Sequence, residues 1–422
     1  MWLLIALLRS LLLIAELALL APLLYLAVLS VAALATQRRV ASSRDRSTTS
    51  DTASADATEQ LPRFALLIPA HNEASVINVA LASIMSVDYP SDRFMPIVIA
   101  DNCTDETAAL ARSTGAEVYE RSDNDKRAKG FALRWIIERL LAENASYDAY
   151  VVVDADSRLS PNFLRCMAES LAAGAQVAQG QYRVHNGEDG WTAGLRAVAF
   201  ALFNHLRPLG RSYLGWSAGL KGNGMCFRRE VFAELGWESY SLAEDAEYHL
   251  RLIDAGIHVA YVPDAIVSAE MPTSLRQAQS QQSRWERGRI DLVRACFGPL
   301  LHGFVRDRDL ARLDVAMEIV LPPLSLVAGL TVIYGVLATL LAWWPAVIVA
   351  SVLSLALGLH IVIGAVLAHL SRRAYFSLLR APLFIAWKCW IYLAALGGAV
   401  LRRGSKSWVR TERAVSSSSS VN

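Results

Sequence analysis

A chain of 422 residues has room for one large domain and a further element, and its 41 basic against 39 acidic residues leave a formal charge of only +2, which implies no nucleic acid or other polyelectrolyte as a partner. Five scattered cysteines (Cys103, Cys166, Cys226, Cys296, Cys389) form no CxxC pair, which argues against a disulfide framework or a thiolate zinc site and reads as reduced, mostly buried thiols. The 54% hydrophobic content is high for a soluble protein, and the excess lies at the two ends.

In chain order, residues 11–36, "LLLIAELALLAPLLYLAVLSVAALAT", are long and apolar enough to span a bilayer. Glu16 and Pro22 are tolerable near an end or against another helix. Ala33, Leu34 and Ala35 resemble a signal-peptide cleavage site, but the run is too long for one and Arg38 and Arg39 come at once after it. Residues 1–37 are therefore expected to be an anchor. Arg38, Arg39, Arg44 and Arg46 place the downstream chain on the cytoplasmic side of an inner or plasma membrane. Small polar residues without periodicity make 38–62 a flexible linker.

From 63 to 310 strand and helix patterns alternate. "FALLIPA" (64–70), "IVIAD" (97–101), "EVYE" (117–120) and "YVVVDAD" (150–156) read as strands, with "QVAQGQYRV" and "HVAYVP" as weaker candidates. Helical spacing lies between them, so the expected class is α/β: a mostly parallel, Rossmann-like sheet with helices on both faces. After it, 324–344 and 345–370 read as a membrane hairpin turning at Trp343-Trp344-Pro345, and 382–401, with Lys388 at its centre, as an interfacial or re-entrant helix. The region 311–401 is thus a membrane-associated unit, and 402–422 a basic then Ser-rich disordered tail.

The polar residues that close the strands carry the chemistry. In "YVVVDADSRLSP" Asp154 and Asp156 stand two apart, a spacing that on a strand points both carboxylates to one side, at the end where open α/β sheets bind ligands. A simple turn explains that stretch equally well. His71, Asn72 and Glu73 follow the first strand, and Asp101 and Asn102 close the second. Together these ends suggest a nucleoside diphosphate, with Asp101 accepting from ribose or base and Asp156 holding a hard cation that bridges phosphates. No P-loop or GxGxxG comes after any strand, which disfavours ATPase and dehydrogenase readings.

The ordered set "LLIPAHNEA", "IADNCTDET", "KRAKGFAL", "DADS", "SLAEDAEYHLRL" and "QQSRWERGR" resembles the family 2 glycosyltransferases of GT-A fold. It is similar to their membrane branch, which holds cellulose, chitin, hyaluronan and poly-N-acetylglucosamine synthases and ceramide glucosyltransferase. That resemblance implies an inverting transfer from a nucleotide sugar, UDP-linked by analogy, with Mg²⁺ or Mn²⁺ as cofactor. It assigns donor binding to Pro69, His71, Glu73, Asp101, Lys129 and Asp154, and metal to Asp154 and Asp156. Asp245, with Glu244 beside it, becomes the general base, and Gln281, Arg284 and Trp285 bind diphosphate and acceptor. Glu244 and Asp245 also suit a helix N-terminus, where carboxylates favour the dipole, and the two roles are compatible. His249 and His258 fit no metal-ligand pattern.

The chain departs from the polymer synthases. It lacks an FxVTxK-type gating segment after QxxRW and has about three spanning segments, too few to enclose a polymer. Transfer of one or a few sugars to a lipid-linked or saccharide acceptor, in cell-envelope, exopolysaccharide or glycolipid synthesis, fits better. The alternatives are a processive synthase with export or polymerisation partners, and a non-catalytic nucleotide-sugar-binding scaffold.

Overall fold

The computed structural model describes residues 2–47 and 61–400. Residues 48–60 of the expected linker and the expected tail at 402–422 lie outside the described residues, while the first helix, α1 (Trp2–Ser47), runs ten residues past the expected end of the anchor at 37.

Strand β1 (Phe64–Ala70) is apolar and buried on both faces, as a central strand must be. Helix α2 (Ile77–Met85) returns the chain to β2 (Phe94–Asp101), and α3 (Thr107–Ser113) leads to the edge strand β3 (Glu117–Arg121). Helix α4 (Lys129–Ala142) then crosses to β4 (Ala149–Val152) on the other side of β1. Next come β5 (Ser157–Leu159), α5 (Phe163–Ala172), β6 (Val177–Val184), α6 (Trp191–Ala201), a π-helical turn over Leu202–Leu206, and α7 (Arg207–Tyr213). The domain closes with β7 (Met225–Arg228), α8 (Arg229–Leu235), α9 (Glu244–Asp254) and β8 (Val259–Ala269).

The sheet order is β3-β2-β1-β4-β7-β6-β8-β5. The β1/β2, β2/β3, β1/β4 and β6/β8 pairs are parallel, and β4/β7, β6/β7 and β5/β8 antiparallel. The expected parallel half is therefore joined to a mixed half through β7. The chain leaves β1 for β2 on one side and reaches β4 on the other, which makes the β1/β4 junction the topological switch point. Helices α2, α3 and α5 cover one face. Helices α4, α8 and α9 cover the other, around the fully buried Trp237 stacked on Tyr248 at 4.4 Å.

The chain leaves β4 at Val152, so Asp154 and Asp156 sit in the turn before β5 rather than on a strand. Strand alternation therefore does not set their directions: Asp154 reaches Lys129, and Asp156 accepts from Ser157 Oγ. Of the cysteines, only Cys226 is fully buried; the other four are half-buried and all five are free thiols.

Beyond the domain run α10 (Leu275–Asp307), α11 (Leu310–Val320), α12 (Leu324–Leu340), α13 (Trp344–Leu367), α14 (Arg372–Ser377) and α15 (Ala381–Val400). Two segments, Leu7–Thr36 and Trp344–Leu367, are long and apolar enough to cross a membrane; α11 and α12, bent by 73°, would make a third if taken as one span. Pro345 opens α13 after a left-handed Ala342, at the turn the sequence places there. Leu12, Leu19, Leu23 and Leu26 of α1 pack with Val327, Tyr334, Leu353 and Leu357, while Leu17, Leu24, Ile348 and Leu355 point outward. Glu16 meets α12, accepting a 2.8 Å hydrogen bond from the Tyr334 hydroxyl.

Helix α7 lies directly on α1, because Gly210 leaves no side chain between the backbones and a Cβ there would overlap the Leu29 carbonyl. Gly210→Ala should therefore force the helices apart and destabilise the protein by about 1–3 kcal/mol, read as a lower Tm in detergent. An unchanged Tm would show that the contact is not made.

Candidate functional site

Lys129 opens α4, and its ammonium is where three distant segments meet. Nζ donates to Asp154 Oδ1 (2.5 Å) and to the Gly222 carbonyl (2.5 Å), with Glu244 Oε1 at 3.9 Å. Burial disfavours the ammonium, but Asp154 and Glu244 outweigh it and the Lys129 pKa lies above its ordinary value. Gly130 makes the approach possible, since a Cβ there would overlap the Ser239 carbonyl.

Glu244 and Asp245 begin α9, where the helix dipole favours anions. Burial pushes the Glu244 carboxyl up to about 7, against the pull of Lys129 and with the like charge of Asp245 adding to the rise. Asp245 is also raised by burial, with Lys129 and Lys221 opposing. The two titrate as a pair that holds its last proton unusually tightly.

The floor beneath them is the "GNG" loop. Gly222 has φ +76°, and a Cβ at this position would stand 3.4 Å from Asp245 Oδ2. Asn223 is fully buried and joins the loop to the Asp154 turn: its Oδ1 accepts from the Asp154 amide (3.1 Å) and its Nδ2 donates to Ser157 Oγ (2.8 Å). Gln179 of β6 locks the same loop, donating to the Asn223 carbonyl (2.8 Å) and accepting from the Lys221 amide (2.9 Å).

On the other side of the switch point, Arg121 Nη1 holds Asp101 Oδ1 at 2.6 Å, so that carboxylate is already partnered where the sequence suggests an acceptor for ribose or base. Burial lifts the Asp101 carboxyl and Arg121 pulls it part of the way back. The Asp101 carbonyl bonds His71 Nδ1 at 2.7 Å. Glu73 is buried, its amide donating to Thr107 Oγ1 (2.9 Å). Pro69 lies within β1, opposite Ile99.

Gln281, Arg284 and Trp285 stand on α10, all half-buried, and Trp285 lies 6.3 Å from the Phe200 ring. Gly288, one turn further, sets the height of this helix, because a Cβ there would touch Leu242 and Ala243, the residues just before Glu244. The QxxRW helix is thus pressed against the N-terminus that carries the acidic pair.

The structure brings Lys129, Asp154, Glu244 and Asp245 into one cluster. It places His71, Glu73 and Asp101 in a second group and Gln281, Arg284 and Trp285 on the adjoining helix. His249 is a buried structural residue bonded to Ser217 Oγ (2.8 Å), and His258 is exposed. Arg121, Gln179 and Lys221 carry no signal in the sequence, since each acts through a partner far away in the chain. Among the described residues no group of three or more His, Cys, Asp or Glu side chains is placed to hold a metal. Asp154 and Asp156 supply two carboxylates in one turn beside the cleft, a donor set that suits a hard divalent ion whose shell is completed by substrate phosphates.

Residues 62–288, more than half of the chain, match the family described as Glycosyltransferase like family 2. The chain belongs to this family. It is 29% identical over 241 residues to the probable glycosyltransferase YdaM of Bacillus subtilis, covering 54% of this chain and 56% of that one. It is 25% identical over 322 residues to an N-acetylglucosaminyltransferase of Rhizobium leguminosarum (72% of this chain, 74% of that one). It is also 25% identical over 252 residues to glucomannan 4-beta-mannosyltransferase 7 of Arabidopsis thaliana (57% and 45%). The chain therefore spans about half the length of YdaM and of the plant enzyme. The fold is that of GT-A enzymes: a mannosyltransferase of Pyrobaculum calidifontis, solved in complex with GDP-Man and Mn²⁺, superposes over 91% of this chain and 100% of that one with TM-score 0.50 at 16% identity.

Because folding raises the Glu244 pKa from 4.5 to about 7, ionising this group opposes folding. That penalty is absent below 4.5, grows between 4.5 and about 7, and is complete above it. Glu244→Gln cannot ionise, so its Tm relative to the native chain should rise between pH 5 and pH 8. A difference that stays flat across that window would contradict the buried, proton-holding site.

Proposed function

We propose that the chain is an inverting glycosyltransferase that moves one sugar, or a few, from a nucleoside-diphosphate sugar to a membrane-associated acceptor. The observation that carries this reading is the Lys129, Asp154, Glu244 and Asp245 cluster at the switch point, with the QxxRW helix held against it. The unit carrying it is taken as 63–310, between the anchor and the C-terminal helices.

In this reading the nucleotide lies along the carboxyl ends of β1 and β2, near His71, Glu73 and Asp101, and the diphosphate reaches Lys129 and Arg284. An acceptor hydroxyl attacks the anomeric carbon as the bond from that carbon to the diphosphate oxygen breaks. Asp245 takes the hydroxyl proton, and a single base opposite the leaving group gives inversion. Trp285 offers an apolar plane for the acceptor ring. A divalent metal held by Asp154 and Asp156 would neutralise charge on the leaving diphosphate.

The arginines that follow the apolar run of α1 and the cytosolic supply of nucleotide sugars favour a cytoplasmic domain on an inner or plasma membrane. UDP-sugars are the donors that the sequence motifs favour, while the mannosyltransferase relatives make GDP-mannose the competing donor. Lipid-linked acceptors suit a site built on membrane helices, and a synthase role with partner subunits is the second product reading.

Hydrolysis of a panel of UDP-sugars and GDP-mannose by the purified chain, with and without acceptor lipid, tests the class and names the donor. EDTA should abolish turnover and Mn²⁺ or Mg²⁺ restore it; full turnover in chelator removes the metal from the scheme. Asp245→Asn should lose at least about a hundredfold in transfer, the scale of general acid–base catalysis, while calorimetry shows nucleotide binding intact. Equal loss of both would make Asp245 a structural residue.

A further inference from the structure

The helix that runs from α6 through the π turn into α7 buries two guanidinium groups that it does not neutralise. Arg196 is 3% exposed and Arg207 6%. Nε and Nη2 of Arg196 and Nε of Arg207 have no hydrogen-bond partner, and among the described residues neither side chain has a carboxylate at ion-pair distance. Burying a charged group without a counter-charge is among the costlier things a fold does. Burial pulls the Arg196 pKa down to about 10.

The surroundings add positive charge. One turn after Arg196, Phe200 meets Trp285, so this face of α6 looks onto α10. The next residue there, Glu286, is 4% exposed and is shared by Arg289 (2.8 Å) and by Lys388 of α15 (2.7 Å). Lys388 lies within electrostatic range of Arg196 and Arg289, and Arg207 within range of Arg289. Four cationic side chains thus border one seam with Glu286 as its carboxylate. The acids on α11 are committed elsewhere, Asp314 to Arg211 and Glu318 to Arg211 and Lys221.

We propose that this seam, between α6–α7 and α10 and capped by Lys388, binds a phosphoryl group carried by a membrane lipid. The buried guanidinium donors match phosphoryl oxygens in geometry and charge. The helix supplying Lys388 turns Leu383 and Trp390, 64% and 69% accessible, to the side opposite Lys388, so the seam is capped by a helix with an apolar outer face. Trp285 at the seam puts the lipid's far end beside the acceptor surface. The assignment rests on the membrane-acceptor reading and gives that acceptor a charge and an anchoring point.

The test is equilibrium binding of radiolabelled farnesyl phosphate to the full chain in uncharged detergent, with farnesol and inorganic phosphate as competitors. Farnesyl phosphate should bind, and farnesol should compete at least about tenfold less well, as expected from losing charge-assisted hydrogen bonds. Arg196→Met and Arg207→Met should each weaken binding by at least about tenfold, with Arg196→Lys recovering part of it. Nucleotide binding, measured on each variant, reports that the fold is intact. Competition by inorganic phosphate as strong as by farnesyl phosphate supports the phosphoryl site and assigns it to a soluble anion instead of a lipid. Farnesol competing equally, or folded Met variants binding as well as the native chain, overturns the proposal. Because the readout is binding, its failure leaves the donor-hydrolysis test untouched, and a failure of donor hydrolysis leaves this result standing.

Discussion

Lys129 is a cation at the first position of a helix, where the macrodipole disfavours positive charge. Its ammonium stays there because Asp154, the Gly222 carbonyl and Glu244 surround it. The arrangement is reciprocal across the cleft: α9 presents carboxylates at its own N-terminus, and the cation of α4 stands between them and the Asp154 turn. Three segments that are far apart in sequence are fixed by one charge. Removing one partner of such a half-buried cluster strands the others, a loss of about 3–5 kcal/mol for buried pairs. The Lys129 charge thus adds to the Asn223 hydrogen bond that joins the Gly222 loop to the turn after β4 and to the Gln179 bond that locks that loop, and extends the hold to the start of α9.

Dependence on a charge shared between distant segments decides which parts of the site are legible in sequence. Apolar runs such as "FALLIPA" and "IVIAD" report a strand buried on both faces without help from elsewhere, and the strands appear where those runs lie. Asp154, Lys129 and Asp245 are legible as an ordered motif set, although their meeting is a tertiary event. The turn that carries Asp154 and Asp156 reads as strand because the apolar run continues to Val153, one residue beyond the last ladder pair at Val152. Arg121 and Gln179 are illegible for another reason. Each is a polar residue whose purpose is a hydrogen bond across 20 or more residues, as in Arg121 to Asp101 and Gln179 to the Asn223 carbonyl, and no local period marks such a pair.

The floor of the cleft is also tied to α11, α7 and the long apolar helix α1. Lys221, next to Gly222, bonds Glu318 of α11 at 2.9 Å. Glu318 and Asp314 hold the fully buried Arg211 of α7, and the Tyr25 hydroxyl of α1 accepts from Arg211 (2.6 Å) and donates to Asp314 (2.7 Å). In this buried network Arg211 and Lys221 face the carboxylates of Asp314 and Glu318, which offsets part of the cost of burying them. Burial, with Arg211 and Arg207 adding to it, holds the Lys221 pKa well below its ordinary value. This network fixes the height of the cleft floor relative to α1.

The division of labour between Glu244 and Asp245 rests on the same electrostatics. Glu244 faces Lys129 at 3.9 Å, whereas Asp245 faces the Gly222 loop. A diphosphate arriving beside Lys129 competes for its charge and weakens the attraction that opposes the raised pKa of Glu244. Glu244 then keeps its proton over a wider pH range. A protonated neighbour no longer repels the charge on Asp245, and Lys221 still favours it. Donor binding would in this way leave one proton on the pair and place the negative charge on the carboxylate nearer the loop floor. In the proposed scheme this would make Asp245 the base once the donor is bound.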